Sequence, residues 1–244
     1  MLSFDEAGSV ASLTVGSGAR FNAMDLDQWR ELAGAARSLV ASDSVRAVFV
    51  RGQGGTFSSG SDLREWTGLT QDEVSGSFAD IEDALQAIES IPVPTVAVVE
   101  GVAAGGGCQL ALACDLQLMS ASARIGMPTA KLGILVPVAF AHRLSVRIGP
   151  SRAKDLLYGG RLVTADEASA MGLVTSAVAD ELLDRELTAL LTRWGAQSVA
   201  SLRAAKAAVN RATAPLDEPA RSSGIGVTSD IEFTSRVEAF LHRP

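Results

Sequence analysis

An α/β fold running into a mainly helical tail is the architecture this 244-residue sequence predicts. Three observations carry that expectation. Short β-rich runs end in glycine or proline breaks, amphipathic stretches lie between them, and from Val138 onward nearly every segment has helical spacing. The first fifteen residues read as two strands around the turn Asp5-Glu6-Ala7-Gly8. Asp25 to Val40 reads as a helix, because Leu26, Trp29, Leu32, Ala33, Ala36, Leu39 and Val40 recur at three and four and make one apolar stripe. Val45 to Val50 is a β-branched strand closed by the flexible run Gly52 to Thr56. Helical spacing returns at Ile81, Leu85 and Ile88, and Pro92 and Pro94 stop it. Thr95 to Val99 is continuously apolar, the pattern of a strand buried on both faces. Small residues from Ala103 to Gly107 lead into a helix at Cys108 to Cys114, then a strand at Leu116 to Met119. The tail divides into helices at 138–148, 150–158, 164–172, 180–194, 199–213 and 227–242, with a strand at Leu173 to Ala177.

Composition narrows the function. With 47% hydrophobic residues and a mean hydropathy of +0.22, the chain supports a large core and is not a disordered segment. Its 21 basic and 28 acidic residues leave a net charge of −7 and a pI near 4.9, which disfavours a nucleic-acid binder. A phosphate-bearing small ligand stays open, since a few arginines and helix N-termini capture phosphate locally. The longest apolar stretch, Gly101 to Cys114, is too short to span a bilayer, and MLSFDEAGSV has no secretory pattern. Cys108 and Cys114 make neither a disulfide framework nor a zinc pattern. A soluble, reduced, cytoplasmic protein without a bound metal is the expectation.

The familiar nucleotide and hydrolase motifs fail on spacing. Leu110 stands where a dinucleotide loop after Gly105 and Gly107 needs its third glycine. Gly107 and Cys108 follow Gly101 and Gly106 where a P-loop needs Lys and Ser or Thr. No G-x-S-x-G elbow occurs, and His142 and His242 are the only histidines. Two segments remain, Thr56 to Trp66 and Glu100 to Leu116. Each follows a strand and presents small residues before a helix or turn. The first amides of a helix lack internal partners, and two such amides from two loops bind an oxygen that becomes negative in a reaction. The alternative reading is that Gly105 to Gly107 only permits close helix packing.

These residues resemble the enoyl-CoA hydratase/isomerase, or crotonase, family along nearly the whole chain. Asn22-Ala23-Met24 is similar to the family's N-A-L/M, and Arg46-Ala-Val-Phe-Val-Arg-Gly with Phe57-Ser-Ser-Gly-Ser-Asp-Leu-Arg-Glu to its R-A-V-V-L-T-G and F-x-A-G-A-D-L-K-E. Gly101-Val-Ala-Ala-Gly-Gly-Gly-Cys-Gln-Leu-Ala-Leu-Ala-Cys-Asp resembles G-x-A-x-G-G-G-x-E-L-A-L-x-C-D, and Met127-Pro-Thr-Ala-Lys-Leu-Gly matches P-E-x-x-L-G in part. Gly159-Gly-Arg-Leu-Val-Thr-Ala-Asp-Glu-Ala, Met171-Gly-Leu-Val and Arg203-Ala-Ala-Lys continue the match. The resemblance implies a crotonase-like spiral of strand-strand-helix turns over residues 1–190 and a C-terminal helical region over 191–244. It also implies a homotrimer or dimer of trimers, for which Leu182, Leu183, Leu187 and Leu191 offer an apolar stripe within or between subunits. The implied ligand is an acyl-CoA thioester, coenzyme A being part of that ligand rather than a separate cofactor. By the same resemblance its thioester oxygen rests on the backbone N–H groups of Ser61 and Gly106, Arg64 and Arg20 approach the phosphates, and the Ser59–Gly60 backbone borders the adenine.

Two positions depart from the family. Its hydratases place one glutamate three residues after the oxyanion glycine, where this chain has Gln109, and another after the proline of P-E-x-x-L-G, where it has Thr129. Neither side chain titrates near neutral pH, so neither serves as a general acid or base. The aspartate some members carry eight residues further on is Pro137 here. The expectation is a thioester-binding protein impaired or inactive as a hydratase, with an active enzyme of the same superfamily using other groups as the alternative. Asp62 and Asp115 read as structural, Cys108 and Cys114 as buried packers, and Tyr158 as a core residue beside Leu156 and Leu157.

Overall fold

Among the described residues the computed structural model has nine strands and eight α-helices; the helices and six of the strands follow the predicted order. Residues 1–5, 8–214 and 230–241 are described, the last helix with side chains from 234 onward. The strands are β1 (Leu2–Phe4), β2 (Val10–Val15), β3 (Ala47–Gly52), β4 (Thr95–Val99), β5 (Val102–Ala104), β6 (Leu116–Ser120), β7 (Arg124–Gly126), β8 (Leu162–Thr164) and β9 (Ser176–Val178). Six form a sheet in the order β1-β2-β3-β4-β6-β9, parallel except for the β1–β2 pair. The other three form a small sheet, β5-β7-β8, whose first strand leads into the glycine run Gly105 to Gly107. That sheet is absent from the sequence reading, because three-residue strands are too short to show a period.

The helices are α1 (Leu26–Val40), α2 (Gln71–Glu89), α3 (Gly106–Ala113), α4 (Val138–Gly159), α5 (Ala165–Met171), α6 (Leu183–Gly195), α7 (Val199–Thr213) and α8 (Asp230–Leu241). Asp25 caps α1 reciprocally with Gln28. α2 is longer than the apolar spacing suggested: its polar first half is started by a second capping box, Thr70 with Glu73. The two pieces expected at 138–148 and 150–158 run on as α4, kinked where Gly149 takes φ +75° before Pro150. Positions 227–229 and 242 of the last expected helix lie outside the described residues.

Burial sorts the apolar stripes. Trp29, Leu32, Ala36 and Leu39 of α1 join Ile81, Leu85 and Ile88 of α2 and the β-strands in one core. On the opposite face of the main sheet, Leu183 and Leu187 of α6 pack on Val96, Val98 and Leu118, so every residue of β4 is buried. Leu183 and Leu187 of the leucine stripe are therefore spent inside the subunit, Leu191 packs there in part, and Leu182 just before α6 stays exposed. Tyr158 also differs from expectation: it lies 77% exposed, while Leu156, about 200° away around α4, turns into the core.

Candidate active site

The site is assembled by a left-handed turn. Arg20, Phe21 and Asn22 have φ of 51°, 54° and 56°, a conformation that costs roughly 1–2 kcal/mol per L-residue and must be held from outside. Buried Asn22 supplies the hold. Its Oδ1 accepts from Gly18 N at 2.7 Å, and its Nδ2 donates to the carbonyls of Gln53 and Thr56. The turn then grips the next segment: Ser59 N donates to Phe21 O, and the Ser58 hydroxyl donates to Asn22 O at 2.8 Å.

Ser58 laces this segment to the glycine-rich one. Its N–H donates to Val102 O at 2.8 Å, and its carbonyl accepts from Ala104 N at 3.0 Å. On the other edge Met24 N donates to Gly60 O and Met24 O accepts from Asp62 N. Alternate backbone groups of an extended segment face opposite sides, so the Ser61 N–H faces away from Met24. No described residue accepts from it. Gly106 begins α3 with no side-chain cap, and its N–H likewise has no acceptor among the described residues. The two segments touch closely at Gly60, which has φ +95°: a Cβ there would stand 2.7 Å from Ala104 O and 2.8 Å from Gly106 N. Gly107 is as tight, since a Cβ would fall 2.0 Å from Ser58 O. Close packing and free amides thus coexist, and the two readings of the glycines are not exclusive.

Gln109 and Thr129 lie beyond Gly106. Gln109 is fully buried, and its Nε2 donates to Phe140 O at 3.3 Å and touches Met127 Sδ at 3.5 Å. Thr129 sits two residues after Met127, on the buried side of a 3-10 turn, Pro128–Leu132, against which α8 packs. Gln109 Oε1 and Thr129 Oγ1 are buried without hydrogen-bond partners. A third orphan, Trp29 Nε1, belongs to an indole whose Cζ2 edge lies against Gly106. The helical stripe identified Trp29 as core, and nothing in the spacing marks its indole N–H.

The charged residues lie at the rim. Asp62 caps a 3-10 turn, Leu63–Trp66, and gathers both arginines: Arg20 Nη1 at 2.9 Å from Oδ2 and Arg64 Nε at 3.3 Å from Oδ1. Each arginine side chain keeps about half of its surface in solvent, with guanidinium donors left over. Ser59 Oγ donates to Arg20 O, which ties Ser59 and Gly60 to the same rim. Asp115 holds the start of β4 by a reciprocal bond with Thr95 and pairs with Lys206 at 2.9 Å, a structural duty. His142 Nε2 meets Thr213 O at the end of α7. Burial pushes both cysteine thiols up to about 12, so neither is a ready nucleophile. Among the described residues no group of three or more His, Cys, Asp or Glu could hold a metal ion, and no helix is long and apolar enough to cross a membrane.

This arrangement matches known proteins. The sequence profile of the enoyl-CoA hydratase/isomerase family matches residues 5–234. A probable enoyl-CoA hydratase of Mycobacterium leprae is 36% identical over 203 residues, covering 83% of this chain and 78% of that one. The mitochondrial methylglutaconyl-CoA hydratase of Mus musculus is 32% identical over 195 residues, 78% of this chain and 62% of the mouse protein. Among solved structures, an enoyl-CoA hydratase from Mycobacterium avium subsp. paratuberculosis superposes with a TM-score of 0.87 at 26% identity, over 100% of this chain and 95% of the other. An enoyl-CoA hydratase/carnitine racemase from Magnetospirillum magneticum gives 0.82 at 28%, over 99% and 90%. The mixed α/β architecture is the crotonase fold, and the chain belongs to the enoyl-CoA hydratase/isomerase family.

Proposed function

We propose that the protein binds an acyl-CoA thioester with its carbonyl oxygen on the Ser61 and Gly106 amides and is impaired as a hydratase. One observation carries the reading: two backbone donors without acceptors among the described residues lie on segments that touch at Gly60, and the family's two glutamate positions hold Gln109 and Thr129, which carry no titratable proton. A donor of this kind is worth roughly 2.7–4 kcal/mol of transition-state stabilisation, so the chain keeps one half of the catalytic apparatus without the other. Asp62, the nearest carboxylate in sequence to Ser61, is already committed to Arg20, Arg64 and a turn cap. That commitment disfavours the alternative of an enzyme working through it.

Arg20 and Arg64 are assigned to the CoA phosphates, and the Ser59–Gly60 backbone to the adenine. The shared carboxylate orients both guanidinia while leaving N–H donors in solvent. Arg64→Ala is expected to weaken crotonyl-CoA binding several-fold to tens of fold by calorimetry, and the loss should shrink as salt screens the contact. Equal affinity in both proteins would show that Arg64 has no part in binding. Failure of the unaltered chain to bind crotonyl-CoA at all would overturn the thioester reading.

The assembly proposed is a trimer or a dimer of trimers. With Leu183 and Leu187 of α6 packed inside the subunit, the support comes from α4 and α7. Val138, Val146 and Val209 are 74%, 48% and 61% exposed, and α7 buries no residue. A cleft of about 790 Å³ separates α7 from α4, lined by Leu112, Val146, Leu202 and Val209. Such apolar surface is what a neighbouring subunit covers. Sedimentation should give three or six copies at micromolar concentration, and Val209→Glu should shift the protein toward monomer. A stable monomer of the unaltered chain would refute this assembly.

A further inference from the structure

Arg143 and Arg147 stand one helical turn apart on the same side of α4, and they end on different partners. Arg143 meets two carboxylates of α2. Arg147 joins no ion pair among the described residues, and its guanidinium goes to backbone instead. Nη2 donates to the carbonyls of Leu112, Cys114 and Asp115 at 3.2, 2.8 and 3.3 Å, and Nη1 to Gln117 Oε1 at 2.7 Å. A half-buried cation without a counter-anion is costly, and burial holds the Arg147 pKa below the usual arginine range. Its three carbonyls all lie at the carboxyl end of α3.

That end lacks the usual closure. α3 is eight residues long and buried from Gly107 to Ala113, and its C-cap Cys114 is extended, so no left-handed glycine supplies donors to the last turn. Gln117, fully buried, and Arg147 supply them together. Gln117 Nε2 donates to Ala111 O and Cys114 O, both at 2.9 Å, while its Oε1 is held by Arg147. The other end of α3, about 12 Å away for eight residues at 1.5 Å each, carries the Gly106 N–H, which has no acceptor among the described residues. The close approaches at Gly60 and Gly107 leave α3 no room at that end. Arg147 holds it from behind, on a helix that Arg143 anchors to α2. A cation at the negative end of a helix dipole also adds to the field that favours negative charge at the positive end.

We propose that Arg147, backed by Gln117, is a positioning residue for the thioester carbonyl: it holds α3 by its carboxyl end, keeps the Gly106 amide in line with the carbonyl oxygen, and sets a positive charge behind the helix. The proposal rests on the thioester reading above and extends it to two residues that touch no part of the ligand. Arg147 acts through the helix alone.

Isotope-edited infrared difference spectra of bound butyryl-CoA, labelled at its thioester carbonyl carbon, read that polarisation. Spectra are taken with the ligand fully bound, so a weaker affinity does not enter. Hydrogen bonds from both amides should move the carbonyl band of the unaltered protein below its frequency in water. Arg147→Met should lose about half of that displacement or more, since a hydrogen bond weakens steeply as its donor leaves the line. Arg147→Lys, which keeps a cation at the helix end, should retain most of it. Arg46→Met is the control: Arg46 caps the end of α6 in the same manner, donating to Gly195 O and Gln197 O at 3.2 and 2.9 Å, and its loss should leave the band in place. If Arg147→Met does not fold, Arg147→Gln, which drops the charge and keeps a donor, is read in its place. A merely structural role would lower the denaturation midpoint of the Arg147 variant and leave the full displacement, which would overturn the proposal while the thioester reading stands. A band of the unaltered protein that stays at its frequency in water would overturn the placement of the carbonyl on the two amides, and this proposal with it.

Discussion

Gln109→Glu/Thr129→Glu is expected to hydrate crotonyl-CoA orders of magnitude faster than the unaltered chain, which should turn it over barely at all. A positioned general acid or base contributes roughly 10²–10⁴-fold, and both candidate positions here carry side chains without a transferable proton. Non-additivity forbids multiplying the two factors, but either deficit is large alone. The surroundings of Gln109 favour a proton donor there. Its Nε2 donates to Phe140 O, so a carboxyl group introduced at that position faces a carbonyl oxygen and is driven toward its protonated form. The measurement is turnover of crotonyl-CoA by both proteins, with thioester affinity followed in parallel. Ordinary hydratase turnover by the unaltered chain would sink the idea of lost acid/base chemistry. A double variant that binds thioester normally without gaining activity would show that more than two protons had been lost.

Arg143→Met is expected to destabilise the fold by about 3 kcal/mol, the low end for opening a buried ion-pair network. Arg143 of α4 is 7% exposed and grips two carboxylates of α2: Glu82 at 2.7 Å through Nη1 and Nη2, and Glu89 at 2.6 Å through Nε. Burial works against its charge, yet these bonds more than compensate and hold the guanidinium protonated above its usual range. Removing it leaves two carboxylates of like charge with no cation between α2 and α4. Glu89 retains 36% exposure, so water softens the loss, hence the low estimate. Adding Glu82→Gln and Glu89→Gln to the arginine variant should recover most of the stability, because the damage lies in the stranded charges. Denaturant midpoints of the three proteins check this. An unchanged midpoint in Arg143→Met would show that the network contributes nothing net.

The chain order of the helices and of the six main-sheet strands was legible in the residues themselves, while the three short strands β5, β7 and β8 were not. Apolar periodicity marks the face of a segment suited to burial, and it marked the stripe of α1 and the continuous run of β4 that the structure buries. Family membership was legible too, because the motifs from Asn22 to Lys206 keep their order. Those same motifs set Gln109 and Thr129 apart, since the absence of a carboxylate is a property of the residue type alone.

Other features depend on contacts between distant segments. The leucine stripe of α6 is equally suited to a sheet or a second subunit, and only the position of Val96, Val98 and Leu118 places it within the chain. Tyr158 and Leu156 look alike in sequence, and the turn of α4 on the core separates them. The left-handed turn at Arg20 to Asn22 is strained locally, and carbonyls more than thirty residues away stabilise it through Asn22. That Arg20 and Arg64 share Asp62 follows from the same turn. The orphaned state of Trp29 Nε1, Gln109 Oε1 and Thr129 Oγ1 is likewise a tertiary fact: composition tells which atoms want hydrogen bonds, and only the fold decides which of them are buried without a partner.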